Sequence, residues 1–315
     1  IIKDANWRVP IYFAVTVSQS NRIGLDSYLD MQGLTFQLKS HKTDPVDQQM
    51  MYKNLMTQIG PDEWSTDFSI GEFRNDDKNR YNDWSRDYKP GYMFRNLGND
   101  KIYYNDQIIR LLQNYRSAYM QLAVTYYMEY QRKDRKGKED HEPRLKELKN
   151  KIIQVLDKME KNIPAHVIPI QSEDLHYQIA RIYGDLEEKE AMRSILETLV
   201  NHPNGRPLNR VEYANTFFKE LDDPEKSLQI LEGMRSDYLR KESMLKTRGF
   251  SKKTVKKGEW GRWQKAYPEI VSSLVFIYRE NNQLIEAESI LSEWVSRNPS
   301  DGNAKKILEE VRSGG

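Results

Sequence analysis

The sequence contains no cysteine among its 315 residues, and it has only five histidines. A disulfide framework and zinc sites built on thiolates are therefore excluded. No two histidines are four residues apart and none lies in an HExxH motif, so a zinc site on one helix has no support. The sequence predicts no metal site; the histidines are His41, His141, His166, His176 and His202.

Motifs for phosphate binding and nucleophilic catalysis are also missing. The sequence contains no Walker GxxxxGK[ST] loop, no GxGxxG and no GxSxG. The acidic pairs Asp76–Asp77 and Asp222–Asp223 are adjacent, whereas a metal-dependent sugar-nucleotide site needs two carboxylates separated by one residue at a strand end. We therefore expect no cofactor and no catalysis by this chain.

Long hydrophobic runs are absent as well, since the longest uncharged apolar stretch covers residues 11–17. About 20 apolar residues are needed to span a bilayer as a helix. The chain begins at Ile1, which we interpret as part of a longer protein. Charged residues make up 30% and apolar residues 38%, a composition that favours a thin helical array over a single globule.

The first 60 residues predict a small α/β cap. The stretch PIYFAVTV at residues 10–17 is β-branched and aromatic, which is typical of a buried strand, and LTFQL at residues 34–38 alternates like a second strand. Between them, residues 25–31 could form one short helix. A longer helix is predicted to begin at Asp44 and Pro45 and to continue to about Ile59.

Residues 61–105 form an irregular segment that is unusually rich in aromatic side chains for a linker. One interpretation is a long loop that packs its rings onto the helices. The other is a ligand-contacting surface, with saccharide as the natural ligand because flat rings stack on sugar faces. Trp64 and Trp84 are the candidate binding residues.

Residues 106–315 show the periodicity of consecutive amphipathic helices and predict a tetratricopeptide-like array of helical hairpins. Such a repeat places a small residue early in the second helix of each hairpin. We assign Ala191, Ser227 and Ala287 to this position, with aromatic Phe218 and Tyr278 nine residues before the last two. The predicted fold is mainly α, a solenoid with an N-terminal α/β cap.

A basic insertion at about residues 235–262 interrupts the repeat. It holds ten basic and three acidic residues and ends in two tryptophans. A solvated loop, an anionic lipid surface and a partner protein all remain possible interpretations. Nucleic acid is disfavoured because the cations form one loop rather than a known reading module. The candidate lipid-binding residues are Lys252, Lys253, Lys256, Lys257, Trp260 and Trp263.

Two stretches resemble a large bacterial membrane-protein family that is catalogued as a domain of unknown function. Residues 6–16 (NWRVPIYFAVT), followed by Gly24–Leu25 and by MQGL at residues 31–34, are similar to its (K/R)PIYFA…GL…EGL pattern. The pattern differs here at Val9, where the family has a basic residue, and at Gln32, where it has glutamate. The second stretch is YYND at residues 103–106, followed by Arg110, Asn114 and Arg116.

The resemblance covers roughly residues 1–200 and implies a multipass membrane half upstream of a tetratricopeptide-rich half. That membrane half resembles GT-C glycosyltransferases, which use lipid-linked sugars, and a eukaryotic relative is a lumenal protein O-mannosyltransferase. The implied location is the periplasmic face of a bacterial inner membrane. The catalytic acid should lie in the membrane half, so no catalytic residue is carried over to this chain.

The second stretch has two interpretations. Asp106 could cap a helix, pair with Arg110 four residues later and, with Asn114 and Arg116, tie the cap to the array. Alternatively, these polar groups and Tyr104 could face an acceptor or the membrane half. The candidate partner or acceptor surface therefore comprises Tyr104, Asp106, Arg110, Asn114, Arg116, Trp64 and Trp84.

The resulting prediction is a non-catalytic periplasmic domain of a GT-C-like membrane glycosyltransferase for protein O-glycosylation. It would serve as an acceptor-binding or assembly platform. Its expected partners are its own membrane half, an acceptor protein or peptide, and an anionic lipid surface. A free-standing tetratricopeptide adaptor and a carbohydrate-binding helical protein are the alternatives.

Overall fold

A computed structural model describes residues 10–57, 91–92, 94, 96–134, 142–202, 205–247 and 258–313. The chain is mainly helical, with one small antiparallel sheet near its N-terminus. It divides into two compact units, Ile1–Gln171 and Ser172–Gly315.

The sheet has three strands: β1 (Tyr12–Ala14), β2 (Leu29–Met31) and β3 (Thr35–Leu38), with β3 in the centre. The two predicted strands are therefore confirmed at residues 12–14 and 35–38. The prediction that the first is buried is wrong, because β1 lies at the edge of the sheet and Tyr12 is 50% exposed. The short helix predicted at residues 25–31 is wrong beyond one 3-10 turn at Asp26–Tyr28. All three residues of β2 are buried, because β2 pairs with β3 on one side and exchanges backbone hydrogen bonds with the chain at Pro45 and Asp47 on the other.

Helix α1 (Gln48–Met56) begins later than predicted, since Pro45 and Asp47 are engaged by β2. Asp47 caps it, its Oδ1 accepting a hydrogen bond of 3.0 Å from the Met50 amide. The helix packs on α2 (Asp106–Asp134), which in turn packs on α3 (Glu142–Asn162). The Tyr119 hydroxyl links all three, because it donates to the Leu55 carbonyl at 2.9 Å and accepts from Asn162 Nδ2 at 2.7 Å.

The second unit contains seven helices in its described residues. They are α4 (Glu173–Asp185), α5 (Lys189–Val200), α6 (Pro207–Lys219), α7 (Pro224–Thr247), α8 (Glu259–Glu280), α9 (Leu284–Arg297) and α10 (Gly302–Arg312). Helices α4 and α5, α6 and α7, and α8 and α9 pack as consecutive pairs joined by short turns, and α10 packs on α9. Contacts between α5 and α6, and between α8 and both α6 and α7, connect the pairs.

The turns inside the three pairs share a backbone feature. Glu187, Asp222 and Asn282 each adopt a left-handed conformation, with φ of 64°, 52° and 61°. Left-handed residues commonly terminate helices, because they let the chain reverse while the last carbonyls stay hydrogen-bonded. Five residues after each of them lie Met192, Ser227 and Ala287, whose amides donate to the residue four positions earlier.

This alignment corrects the predicted repeat by one residue in the first pair. Ser227 and Ala287 are fully buried as expected, but Ala191 is half-buried and Met192 takes the equivalent buried position. The large methionine fits because the facing residue is Gly184. A Cβ built on Gly184 would lie 2.7 Å from Met192 Sδ, so the small residue of this pair is on the first helix rather than the second.

Most described residues of the predicted basic insertion are helical. Helix α7 continues to Thr247, and α8 begins at Glu259. Interpretation of the whole insertion as a solvated loop is therefore wrong for its two ends. Lys252, Lys253, Lys256 and Lys257 lie outside the described residues.

Candidate functional site

Only some of the residues predicted to form a partner surface near the start of α2 are exposed. Asn105 rather than Asp106 is the N-cap, since its Oδ1 accepts a hydrogen bond of 2.9 Å from the Ile108 amide. Asp106 and Arg110 are exposed, and Asn114 is half-buried. The Tyr104 hydroxyl donates to the Asn96 carbonyl at 2.8 Å, so it stabilises the chain entering the helix.

Arg116 is completely buried, so its assignment to a partner surface is wrong. Its Nη2 donates to the carbonyl of Ile163 at 2.9 Å and to that of Ile168, and its Nη1 donates to the Pro169 carbonyl at 3.1 Å. Burial lowers the pKa of the guanidinium to about 10. The side chain fixes the segment that follows α3 against α2. Its role is therefore structural, but it joins two parts of the predicted array and does not tie the cap to the array.

Gly33 of the MQGL motif has a steric explanation. Its φ is 120°, and a Cβ at this position would lie 2.1 Å from the Tyr92 hydroxyl, which accepts a hydrogen bond from the Leu34 amide. Tyr92 and Phe94 also pack edge-on against Tyr115 of α2. These two rings follow the packing interpretation of the aromatic segment, whereas Trp64 and Trp84 lie outside the described residues.

Gln32, where the resembling family has glutamate, takes part in a buried polar cluster. Its Nε2 donates to Asp30 Oδ1 at 3.2 Å and to Gln37 Oε1 at 2.7 Å, and Lys39 pairs with Asp30 at 3.3 Å. Burial raises the pKa of Asp30, although Lys39 opposes the shift. A glutamate at position 32 would place a second carboxylate against Asp30, so glutamine suits the residues present.

The two tryptophans of the predicted lipid surface contact other helices instead of standing free. Trp263 is 5% exposed, with Lys241 Nζ 5.8 Å from its ring centroid. Trp260 stacks on Tyr238 of α7 at 4.9 Å, and Tyr238 stacks on Tyr267 of α8 at 3.8 Å. Both tryptophans therefore attach the start of α8 to the extended part of α7.

Several cations of the insertion are neutralised in the same region. Lys241 pairs with Glu259 at 2.9 Å and Lys246 with Glu242 at 3.3 Å, while Arg235 pairs with Glu293 of α9. Glu242 also pairs with Arg297 at 2.9 Å. Ion pairs within the second unit therefore account for several of the basic residues at 235–247. Fewer unpaired cations remain to support the prediction of an anionic lipid surface.

A cleft of about 500 Å³ opens on the second unit. It is bordered by the first helix of each pair: α4 contributes Tyr177 and Arg181, α8 contributes Glu269, and α6 contributes most of the wall. The residues of α6 that face it at helical spacing are Leu208, Glu212, Asn215 and Lys219.

The floor of the cleft is held by a hydrogen-bonded chain. Thr216 donates to the Glu212 carbonyl at 2.9 Å, so Tyr177 must donate to Thr216 Oγ1, also at 2.9 Å. Arg181 forms an ion pair with Glu220, with 3.8 Å between their charged atoms. Burial raises the pKa of Tyr177, against the opposing effects of its hydrogen bond to Thr216 and of the neighbouring Arg181. This part of the cleft is therefore preformed.

Other cleft side chains have no such partners. Within the ranges described above, no hydrogen bond or ion pair engages the side chains of Glu212, Asn215, Lys219 and Glu269. Leu208, the apolar side chain at one end of the α6 wall, is 43% exposed. Glu212, Lys219 and Glu269 are exposed and Asn215 is half-buried, so a ligand could contact these side chains without breaking an interaction that holds the fold.

The sequence does not predict this cleft, because its residues come from three helices that are distant in sequence. A signal was present in α6, where Leu208, Glu212, Asn215 and Lys219 repeat at spacings of four, three and four residues. That face carries charges and an amide together with an exposed leucine, while Val211, which also borders the cleft, and Ala214 and Phe217 are buried.

The described residues bring together no three histidine, aspartate or glutamate side chains that could hold a metal ion. None of the helices in the described ranges has the length and apolarity required to cross a membrane. The chain matches no protein-family profile, no curated protein and no solved structure at a significant level. The resemblance noted in its first 200 residues therefore remains a prediction.

Proposed function

We propose that this chain is a non-catalytic binding domain that holds an extended polypeptide segment, such as an acceptor protein, in the cleft between α4, α6 and α8. The observation that carries the proposal is the cleft itself. Its floor is fixed by the contacts of Tyr177 and Thr216, while Asn215, Lys219 and Glu269 have no partners within the described residues.

The proposal includes a tetratricopeptide-like solenoid for the second unit. Three helix pairs repeat a left-handed turn residue followed five positions later by a buried residue in the next helix. Stacked hairpins of this kind expose the first helices along one continuous surface. The cleft, bordered by three such first helices, corresponds to that surface.

The dimensions of the cleft favour an extended ligand. Leu208 and Lys219 are eleven residues apart on α6, and a rise of about 1.5 Å per residue separates them by about 16 Å. An extended chain covers this distance with about five residues. An amide such as Asn215 can donate to and accept from a peptide backbone, which makes a polypeptide a better match than a compact small molecule.

The biological setting of the proposal is a GT-C-like membrane glycosyltransferase that modifies proteins on the periplasmic side of a bacterial inner membrane. It rests on the resemblance of residues 6–34 and 103–116 to that membrane family. A free-standing adaptor would use the same cleft in another setting. The start of α2 offers an assembly contact for the membrane half, since Tyr103, Ile108 and Leu111 are 87%, 41% and 57% exposed.

The test is binding of the chain to an array of unrelated ten-residue peptides. Asn215→Arg would fill the cleft without touching its floor, and Asn303→Arg on the exposed face of α10 is the matched control. We expect a subset of peptides to bind the original chain and the control, but not the Asn215→Arg variant. Equal binding by all three proteins would refute the cleft as the binding site.

A further inference from the structure

The cleft has an uneven distribution of charge. Arg181 and Glu220 form an ion pair of 3.8 Å at the border of the cleft, so these two opposite charges offset each other. The ionised groups without a partner in the described residues are the carboxylates of Glu212 and Glu269 and the ammonium group of Lys219. A ligand therefore meets two free carboxylates and one free cation.

The two carboxylates come from two helices that pack against each other. Glu212 is on α6 and Glu269 on α8, and both border the same cleft. Phe218 contacts Phe276, and Glu212 and Glu269 precede these rings by six and seven residues on their helices. Lys219 directly follows Phe218, so the cation is at the other end of the α6 wall. Leu208 borders the acidic end, and Asn215 lies between the two ends.

We infer that the cleft selects an extended polypeptide in which a lysine or arginine side chain inserts between Glu212 and Glu269. This inference rests on the function proposed above and narrows its ligand. The aliphatic stem of the basic residue would contact Leu208, its charged end would pair with the carboxylates, and the backbone would pass Asn215. Complementary charge of this kind sets which ligand is selected more than it sets total affinity.

The experiment starts from peptides that bind on the array, each resynthesised with its basic residue replaced by glutamine or by glutamate. Fluorescence anisotropy with the whole chain should rank affinity as lysine or arginine first, glutamine second and glutamate last. Since exposed ion pairs are weak, we expect the basic peptide to bind about three- to tenfold more tightly than its glutamine version. The preference should decrease with added salt.

The protein variant Glu212→Gln/Glu269→Gln should lose this preference while still binding the glutamine peptide. The control Glu225→Gln/Glu309→Gln removes the same amount of charge from exposed sites on α7 and α10, and it should keep the preference for basic peptides. Cleft-dependent binding with no preference for basic peptides would overturn the inference and leave the proposed function standing. Peptide binding that Asn215→Arg does not affect would overturn both.

Discussion

Gly184 and Met192 share a single packing position in the first hairpin of the second unit. A Cβ on Gly184 would lie 2.7 Å from Met192 Sδ and 3.0 Å from its terminal methyl carbon, and Met192 is fully buried. In the other two pairs the small residue is on the second helix, at Ser227 and Ala287. The close approach of the two helices is thus retained while the residue that permits it changes sides.

This relationship predicts coupling between the two positions. Met192→Ala should destabilise the second unit by about 2–4 kcal/mol, because it leaves a cavity in the core. Adding Gly184→Ala to that variant should recover more than about 1 kcal/mol, since the new methyl group enters the vacated space. Urea unfolding followed by circular dichroism measures both changes. Additive effects of the two substitutions would show that the side chains do not share the site.

The corrected repeat alignment makes a second prediction. Ala287→Leu should cost about 1–3 kcal/mol, because four-carbon side chains overpack a fully buried position. Ala191→Leu is the matched control, and it should cost clearly less because Ala191 is only half-buried. Thermal unfolding of the two variants decides between the alignments. A larger loss for Ala191→Leu would restore Ala191 as the close-contact position.

Arg116 is predicted to be essential for stability rather than for binding. Arg116→Met would remove the donors to the buried carbonyls of Ile163 and Ile168, and buried acceptors without a donor cost about 1–3 kcal/mol each. We expect a loss of about 3 kcal/mol or more in the free energy of unfolding. Arg110→Met, on the exposed part of the same helix, should change it by less than about 0.5 kcal/mol.

Buried tyrosines predict a loss of stability at alkaline pH. Burial raises the pKa of Tyr119, Tyr126 and Tyr238 to about 12 each. The folded state therefore keeps protons that the unfolded state releases near pH 10. Stability contributed by these groups is complete below pH 10 and falls as the pH rises from there towards 12, by up to about 1.4 kcal/mol per pH unit for each tyrosine.

Urea unfolding at a series of pH values, with absorbance at 295 nm as the reporter of ionisation, measures this decline. Tyr126→Phe should make the decline shallower, because the unfolded state of that variant has one fewer proton to release. Stability that stays constant between pH 10 and 11.5 would contradict the prediction.

The sequence predicted those features of the fold that depend on local periodicity. Helices α2 to α10 follow spaced apolar residues, and the buried Ser227 and Ala287 were located by their spacing to neighbouring aromatics. The predictions that failed depend on contacts distant in sequence. Strand β2 forms because β3 and the chain near Pro45 flank it, and Met192 is accommodated by Gly184 on another helix.

The same distinction applies to the site residues. Arginine is usually a surface residue, but the guanidinium of Arg116 is surrounded by carbonyls about fifty positions later in the sequence. The sequence predicts Trp260 and Trp263 as interfacial anchors, but both contact α7, which extends beside them. The cleft joins residues of three helices, and no linear motif connects Tyr177, Asn215 and Glu269.

The most direct test of the proposed function is to map where a bound peptide lies. Amide chemical-shift changes in ¹⁵N-labelled chain, recorded while an array-selected peptide is added, should concentrate on α4, α6 and α8 around Tyr177, Asn215 and Glu269. They should saturate together and disappear in the Asn215→Arg variant. Saturating changes confined to the start of α2 or to α10, with the cleft unaffected, would contradict the account.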